Sequence, residues 1–223
     1  MYKRQIIRNC QLQGGLAIAC GDAGIGKTQA CRQYYREHGT NCIYITVNPC
    51  IKSSKSVLEL IGSKLNVSSG SVSRLWLEIS SKLSDGMVII VDEAQHLTRN
   101  AIDTLRSLCD CFDEKGQTLG ICFVGNETTV SRLGGKQKAE FAQIRNRTKN
   151  TRFYSVKQIK KSDIEMLFPD IREDTTAVEF LLCIAQSPQA IRGAVNLYSN
   201  ALDNGNVTAK GLSAIAKYMD MAV

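Results

Sequence analysis

The sequence lacks any apolar run approaching the roughly 20 residues that a membrane-spanning helix needs. Its basic N-terminus, residues 1–5, leads into no signal-peptide core. Internal repeats and low-complexity tracts are missing as well. These absences predict a cytoplasmic globular protein with no membrane partner.

Zinc-type spacing is also missing, although the chain has nine cysteines. Cys109-Asp110-Cys111 resembles half of a metal site, but no second Cys/His pair stands at zinc spacing. Several other cysteines fall in apolar strand-like runs, where free cysteine packs as a small hydrophobe. We therefore expect reduced cysteines in a cytosolic chain rather than a structural metal.

Length and charge set broad limits on what the chain does. At 223 residues, one domain or one domain with a small appendage is expected. The net charge of +7 fits a polyanionic partner, although charge alone discriminates weakly between functions.

A glycine-rich stretch fits the phosphate-binding loop pattern G-x-x-x-x-G-K-[ST]. A short apolar run, residues 16–20, precedes it, and a polar helical stretch, residues 29–38, follows it. Strand, loop and helix is the order that the motif requires, because loop N–H groups and the helix N-terminus then face phosphate oxygens. Lys27 is predicted to reach the β- and γ-phosphates of ATP, and the Thr28 hydroxyl to hold Mg²⁺. The predicted nucleotide-binding loop comprises Gly21, Asp22, Ala23, Gly24, Ile25, Gly26, Lys27 and Thr28.

Two carboxylates follow a continuous apolar strand about 65 residues downstream of the loop. Asp92 is predicted to hold Mg²⁺, and Glu93 to activate or orient the attacking water. The next strand ends at Gly125-Asn126, so the Asn126 side chain is expected beside the γ-phosphate, where it could position the water as a sensor. The alternative interpretation of Asp92 and Glu93 is a pair of carboxylates that cap a strand end.

The alternation of strands and helices predicts a doubly wound parallel α/β sheet followed by helices only. We expect an α/β nucleotide-binding subdomain over residues 1–155, with residues 1–15 as a short lead-in, and a helical lid over residues 156–223. Capping patterns predict helix starts near Ser56, Asn100, Ser162, Thr176, Ser187 and Thr208.

Two arginines are candidates for reading the nucleotide. Arg147, in the stretch Arg145-Asn146-Arg147, could enter a neighbouring subunit's site and stabilise transition-state charge. Arg192, which opens a predicted lid helix, could read the γ-phosphate within its own chain. The alternative interpretation of each is an ordinary surface charge.

Taken in order, these features resemble the AAA+ ATPases, and more closely the family of the phage Mu B transposition protein and its transposon relatives. Besides the phosphate loop, the stretches that carry the resemblance are residues 89–97 with Asp-Glu-Ala-Gln-His-Leu, residues 134–142, and residues 187–192. The resemblance covers about residues 12–203. It implies an AAA+ fold with a five-stranded sheet and a helical lid, and it favours Arg147 over Arg145 as the arginine finger.

The same resemblance implies an ATPase that assembles as a helical filament, a homo-oligomer, on double-stranded DNA. It further implies that the protein selects target DNA and stimulates a transposase. The archetype of the family carries an N-terminal helix-turn-helix domain and a basic cluster after the second helix. This chain begins near the first strand, and only Arg74 stands in the matching segment. A minimal family member or a fragment is therefore expected.

DNA contacts are expected through phosphates rather than through bases. The candidates are Lys52 and Lys55, in the predicted loop after the second strand, together with Arg74 and Arg99.

Two other functions remain open at this point. One is an AAA+ switch that acts on proteins, as in secretion-associated ATPases that share the Asp-Glu-Ala-Gln-His pattern. The other is a nucleotide-binding module with little turnover, controlled by its oligomeric state.

Overall fold

The computed structural model describes residues 2–129 and 148–221. The chain divides into two compact units. The first comprises Met1–Gly21 and Lys27–Phe153, and the second comprises Asp22–Gly26 and Tyr154–Val223. The middle of the predicted phosphate loop therefore groups with the C-terminal part of the chain.

The first unit is built on a five-stranded sheet, in the order β2-β3-β4-β1-β5. The pairs β1–β4, β3–β4 and β2–β3 are parallel, which confirms the predicted doubly wound fold. The strands are β1 Gly15–Gly21, β2 Cys42–Thr46, β3 Met87–Asp92, β4 Leu119–Gly125 and β5 Thr148–Tyr154. Every residue of β3 and β4 is buried, as their continuous apolar sequence predicts.

Among the described residues of the first unit, the α-helices that pack around the sheet are α1 Tyr2–Gln13, α2 Lys27–Glu37, α3 Ser54–Lys64, α4 Val72–Lys82 and α5 Arg99–Asp113. Alternate strand residues such as Ile18, Ile89 and Phe123 share one hydrophobic core with α3, α4 and α5. The intervening residues point the other way. Helices α1 and α2 pack against β4, β2 and β3 on that second side.

Helix α1 corrects the prediction that residues 1–15 are only a lead-in. Its Ile6, Ile7 and Cys10 are at most 3% exposed, so the segment is part of the fold. A Cβ on Gly120 of β4 would lie 2.4 Å from the carbonyl oxygen of Cys10. The absence of a side chain at residue 120 is therefore what lets α1 approach the sheet this closely.

Several predicted helix starts are wrong by a few residues. Ser53 rather than Ser56 caps α3, and its side chain accepts from the Ser56 N–H. Thr98 rather than Asn100 caps α5, by accepting from the Ala101 N–H. In both cases the residue chosen from the sequence lies inside the helix, because two candidate caps stand within three residues of each other.

In the described part of the second unit, residues 22–26 and 154–221, the α-helices are α6 Lys161–Leu167, α7 Thr175–Gln186, α8 Ala190–Asp203 and α9 Ala209–Tyr218. Ile164, Leu181, Leu197 and Leu212, one from each helix, are fully buried in a common core. This core is separate from the core of the sheet.

Helix starts in the second unit also differ in part from the prediction. Thr208 caps α9 as predicted. Asp174 rather than Thr176 caps α7. Helix α6 begins at Lys161, and the N–H of the preceding residue, Lys160, donates to the Asp163 carboxylate. Ser187 ends α7, and α8 begins at Ala190, so Pro188 is not the first helical residue.

All nine cysteines lie in the described part of the chain and are free. Cys50 and Cys183 are exposed, and Cys111 is intermediate. The others are buried: Cys10, Cys20, Cys31, Cys42, Cys109 and Cys122. Burial raises the pKa of the Cys10 and Cys42 thiols to about 12, so they remain protonated packing residues. Within residues 2–129 and 148–221, no group of three or more His, Cys, Asp or Glu side chains is arranged to hold a metal ion.

Across the same two ranges, no helix combines the length and apolar character that a membrane crossing requires.

Candidate nucleotide site

The first part of the site lies where β1 ends and α2 begins. Lys27 and Thr28 are the first two residues of α2, as the motif requires. The Lys27 Nζ donates to the carbonyl oxygen of Gly21, the last residue of β1, at 2.8 Å. The first turn of α2 contains no acidic residue, so the partial positive charge of this helix end is not offset there.

The middle of the loop is held by the second unit, to which it belongs. The Asp22 carboxylate accepts from the Val156 N–H at 2.8 Å and from the Ser155 hydroxyl at 3.1 Å. The Asp22 N–H donates to the Tyr154 carbonyl at 3.0 Å. Ile25 is 3% exposed and is part of the core of the second unit. The side chains of Asp22 and Ile25 thus fix this part of the loop within the second unit.

Gly24 lies directly against the start of α8. Its carbonyl oxygen accepts from the Arg192 N–H at 3.1 Å. Gly24 has a φ of +73°, and a Cβ there would lie 3.2 Å from the Cβ of Ala190 and 3.3 Å from the Cβ of Arg192. Glycine is favoured at this position by its left-handed backbone as well as by the space. The contact places Arg192 next to the phosphate loop.

Asp92 ends β3 and is held on both carboxylate oxygens. It is 1% exposed, its Oδ1 accepts from the Glu93 N–H at 3.0 Å, and its Oδ2 accepts from the Tyr44 hydroxyl at 2.9 Å. Burial, followed by the negative charge of Asp92, raises the pKa of Tyr44, which keeps this hydroxyl protonated as a donor. A carboxylate oxygen can accept more than one hydrogen bond or ligand, so Asp92 fits the oxygen chemistry that Mg²⁺ prefers.

Glu93 follows β3 in a left-handed conformation with a φ of +58°. A residue other than glycine in this region costs about 1–3 kcal/mol and is typical of functional sites. The strained turn continues into a short 3₁₀ helix, Ala94–His96, which returns the chain toward Glu93. As a result, the Gln95 Nε2 donates to the Glu93 Oε2.

Asn126 follows β4, the neighbour of β3 in the sheet. Its side-chain oxygen accepts from the Thr128 N–H at 3.0 Å and from the Thr128 hydroxyl at 2.5 Å. Asn126 is exposed. The structure thus places Asp92, Glu93 and Asn126 at the carboxyl ends of adjacent parallel strands, where open α/β sheets bind ligands.

The DNA candidates all lie in the first unit. Lys52 is in the loop before α3, where its carbonyl accepts from the Thr98 N–H at 3.0 Å. Lys55 lies inside α3 rather than in that loop, which corrects the prediction, and pairs with Glu59 at 3.9 Å. Arg74 pairs with Glu78 at 2.6 Å, and Arg99 pairs with Asp103 at 3.7 Å. The predicted finger, Arg147, lies outside the described residues, as does Arg145.

Sequence reasoning did not identify Tyr44 or Gln95, although both contact the predicted carboxylates. Tyr44 lies on β2, two residues before Thr46, which is opposite Asp92 in the β2–β3 register. Only the strand order makes it a neighbour of Asp92. Gln95 lies within the Asp-Glu-Ala-Gln-His-Leu motif. Its spacing of two residues from Glu93 is the signal in the sequence that could have identified it.

The sequence is similar to known proteins over most of its length. The profile of the family described as "AAA domain" matches residues 10–133. The chain is 30% identical over 213 residues to the ATP-dependent target DNA activator B of Escherichia phage Mu, which covers 92% of this chain and 64% of that protein. It is 29% identical over 209 residues to the Mu-like prophage FluMu DNA transposition protein B of Haemophilus influenzae, covering 88% and 69%. The chain therefore spans slightly less than two thirds of the phage Mu relative.

Solved structures with low sequence identity share the fold. The Thermotoga maritima RuvB Holliday junction branch migration motor has a TM-score of 0.59 at 16% identity, and the alignment covers 97% of this chain and 67% of that one. The Aeropyrum pernix Orc1 protein in complex with DNA has a TM-score of 0.65 at 14% identity, covering 98% and 64%. At these identities the likeness shows the fold alone. Since the family profile spans more than half of the chain, this protein belongs to the AAA domain family.

Proposed function

We propose that this chain is a Mg²⁺-dependent ATPase that acts in DNA transposition. The observation that carries the proposal is the placement of Lys27 and Thr28 at the start of α2 and of Asp92, Glu93 and Asn126 at adjacent strand ends. The similarity to proteins named as an ATP-dependent target DNA activator and a DNA transposition protein supports the biological setting.

Each residue has a separate role in this proposal. Lys27 neutralises the β- and γ-phosphates, and loop N–H groups bind the phosphate oxygens. Thr28 and Asp92 hold Mg²⁺, which supplies charge neutralisation at the transferred phosphoryl group. Glu93 orients or activates the attacking water, and Asn126 positions it.

Two arginines complete the proposed site. Arg192 reads the γ-phosphate within the chain, which its contact with Gly24 supports. Arg147 is proposed, from its position in the sequence motif, as the finger that a neighbouring subunit supplies. A mixture of Arg147→Ala and Lys27→Ala tests this role, because each variant keeps the part that the other has lost. Partial recovery of ATPase activity in the mixture supports a finger in trans, and no recovery despite co-assembly contradicts it.

The finer proposal is that the protein assembles with ATP as a helical filament on double-stranded DNA, selects target DNA and stimulates a transposase. The net charge of +7 supports a DNA partner bound through phosphates. Lys52, Lys55, Arg74 and Arg99 are the proposed contacts. An AAA+ switch that acts on protein partners is the alternative, and it shares the same nucleotide chemistry.

ATP turnover measured with and without duplex DNA tests this proposal. We expect turnover by the full chain that rises when DNA is added and that is lost in Lys27→Ala. Turnover that does not change when DNA is added favours the switch that acts on proteins. Tight nucleotide binding without turnover under either condition favours a nucleotide-binding module and contradicts the ATPase.

A further inference from the structure

The Gln95 side chain connects the ends of two neighbouring strands through a single amide group. Its Nε2 donates to the Glu93 Oε2. Its Oε1 accepts from the Asn126 N–H at 3.4 Å and from the Thr129 hydroxyl at 3.4 Å. Since Glu93 follows β3 and Asn126 follows β4, the amide joins the carboxylate at one strand end to the backbone at the next.

The chemistry of the partners fixes the direction of the amide. An ionised carboxylate only accepts hydrogen bonds, and a backbone N–H only donates them. The NH₂ group of Gln95 must therefore face Glu93, and its carbonyl must face Asn126. A glutamate at this position would keep the acceptor but lose the donor, and methionine of similar length would lose both.

The backbone around the contact is shaped to admit it. A Cβ on Gly125 would lie 2.4 Å from the Gln95 Oε1 and 2.2 Å from the Thr129 Oγ1. Thr129 itself is fully buried, so its hydroxyl has no free space to retreat into. On the other side, the left-handed conformation of Glu93 turns the chain so that Gln95 reaches back to the carboxylate.

We propose that Gln95 is a positioning residue for Glu93: it holds the carboxylate in one orientation and links that orientation to the end of β4. The inference rests on the proposed ATPase function, for which Glu93 handles the water. Gln95 does not touch the nucleotide in this role. Its loss should therefore slow hydrolysis and leave nucleotide affinity unchanged.

The first test is Gln95→Met in the full chain, with ATP, Mg²⁺ and duplex DNA. We expect kcat to fall roughly 10- to 100-fold, since displacement of a reacting group by about 1 Å can lower a rate by about 100-fold. Affinity for a fluorescent ATP analogue should stay within about twofold of wild type, since the phosphate loop is untouched. Gln95→Glu should lose at least as much kcat, because it removes the donor and faces Glu93 with a second carboxylate.

A double-mutant cycle separates positioning from a general structural role. In the Glu93→Gln background, Gln95→Met should cause almost no further loss of kcat, because the group that it positions is already changed. Gly125→Ala should also lower kcat, because its Cβ would displace the Gln95 carbonyl. This variant leaves the identities of Glu93 and Gln95 unchanged. The matched control is Gln33→Met, which removes a glutamine that donates to Glu37 at 2.8 Å on the exposed face of α2.

The outcomes are distinguishable. Wild-type kcat in Gln95→Met, equal losses of kcat and nucleotide affinity, or full additivity with Glu93→Gln would each overturn the inference while leaving the ATPase intact. If the wild-type chain binds ATP but does not turn it over with or without DNA, the proposed function fails and the inference fails with it. The inference is supported if Gln95→Met lowers kcat without lowering nucleotide affinity and causes almost no further loss of kcat in the Glu93→Gln background.

Discussion

The phosphate loop and the carboxylate pair are supported by different parts of the chain. The middle of the loop is bonded within the second unit, through Asp22 to Val156 and through Gly24 to Arg192. Asp92 and Glu93 are held instead within the first unit, by Tyr44 and Gln95. The residues proposed for nucleotide binding and those proposed for hydrolysis are therefore held by separate sets of contacts, and substitutions should affect the two proposed steps separately.

The sharpest separation should come from Lys27→Ala and Glu93→Gln. Lys27→Ala removes the charge proposed to face the phosphates, so ATP binding and ATP-dependent assembly should both be lost. Glu93→Gln keeps that charge and loses the carboxylate proposed to activate the water, so ATP should bind normally while turnover falls roughly 10²- to 10⁴-fold. Nucleotide titration and steady-state ATPase assays measure the two effects. Wild-type turnover in Glu93→Gln would assign the role of Glu93 to another residue.

Ile25→Ala should weaken the loop by way of the second unit. Ile25 is 3% exposed, and truncation of a buried isoleucine typically lowers the free energy of unfolding by about 2–5 kcal/mol. We expect lower stability in urea and weaker ATP binding together, because the loop loses its anchor. Leu202→Ala, at a side chain that is 55% exposed in the same unit, is the control and should change neither quantity. Unchanged ATP affinity in Ile25→Ala would show that the loop does not depend on this anchor.

Tyr44→Phe should have a smaller effect, confined to the carboxylate pair. The ring is kept, and only the hydroxyl that donates to Asp92 at 2.9 Å is removed. A lost hydrogen bond to a charged group is worth about 1.5–3 kcal/mol, so the Mg²⁺ concentration for half-maximal turnover should rise at least several-fold. Tyr35→Phe is the matched control, because it removes a tyrosine hydroxyl from α2 and keeps the ring that lies 6.2 Å from the Tyr44 ring. An unchanged Mg²⁺ requirement would mean that Asp92 is held without Tyr44.

The smallest effect should come from single basic residues in DNA binding. DNA affinity should fall steeply with salt and depend little on sequence, because counterion release supplies much of the free energy. Lys52→Ala should lower the slope of log affinity against log salt by about one if Lys52 contacts a phosphate. Lys55→Ala is the comparison variant, because the charge of Lys55 already has the Glu59 carboxylate within 3.9 Å. A salt-independent, sequence-specific footprint would contradict phosphate-directed binding.

Local motifs made the core of the site predictable from the sequence. The phosphate loop and the Asp-Glu pair are each continuous in the chain, so their residues could be identified without knowing the fold. Tyr44 could not be found in this way, because its contact with Asp92 depends on β2 lying beside β3 in a particular register. The anchoring of Asp22 and Ile25 by residues more than 120 positions away was hidden for the same reason.

Helix boundaries failed for a different reason. Serine, threonine and asparagine compete for the cap position, and the sequence offered Ser53 and Ser56, or Thr98 and Asn100, within one turn. Helix α1 was missed although Ile6, Ile7 and Cys10 have a helical spacing, because most of its other residues are polar. The burial of α1 depends on the absence of a side chain at Gly120. This contact exists only once the sheet is assembled, so the sequence does not indicate it.

The distribution of thiols offers a practical consequence. Cys50 lies in the first unit and Cys183 in the second, and both are exposed, whereas Cys10 and Cys42 are buried with pKa values raised to about 12. Alkylating reagents attack thiolates, so the two exposed positions should react first in the folded protein. A fluorescent donor and acceptor could thus be attached to the natural chain, one in each unit, and the response of their separation to ATP followed directly in solution.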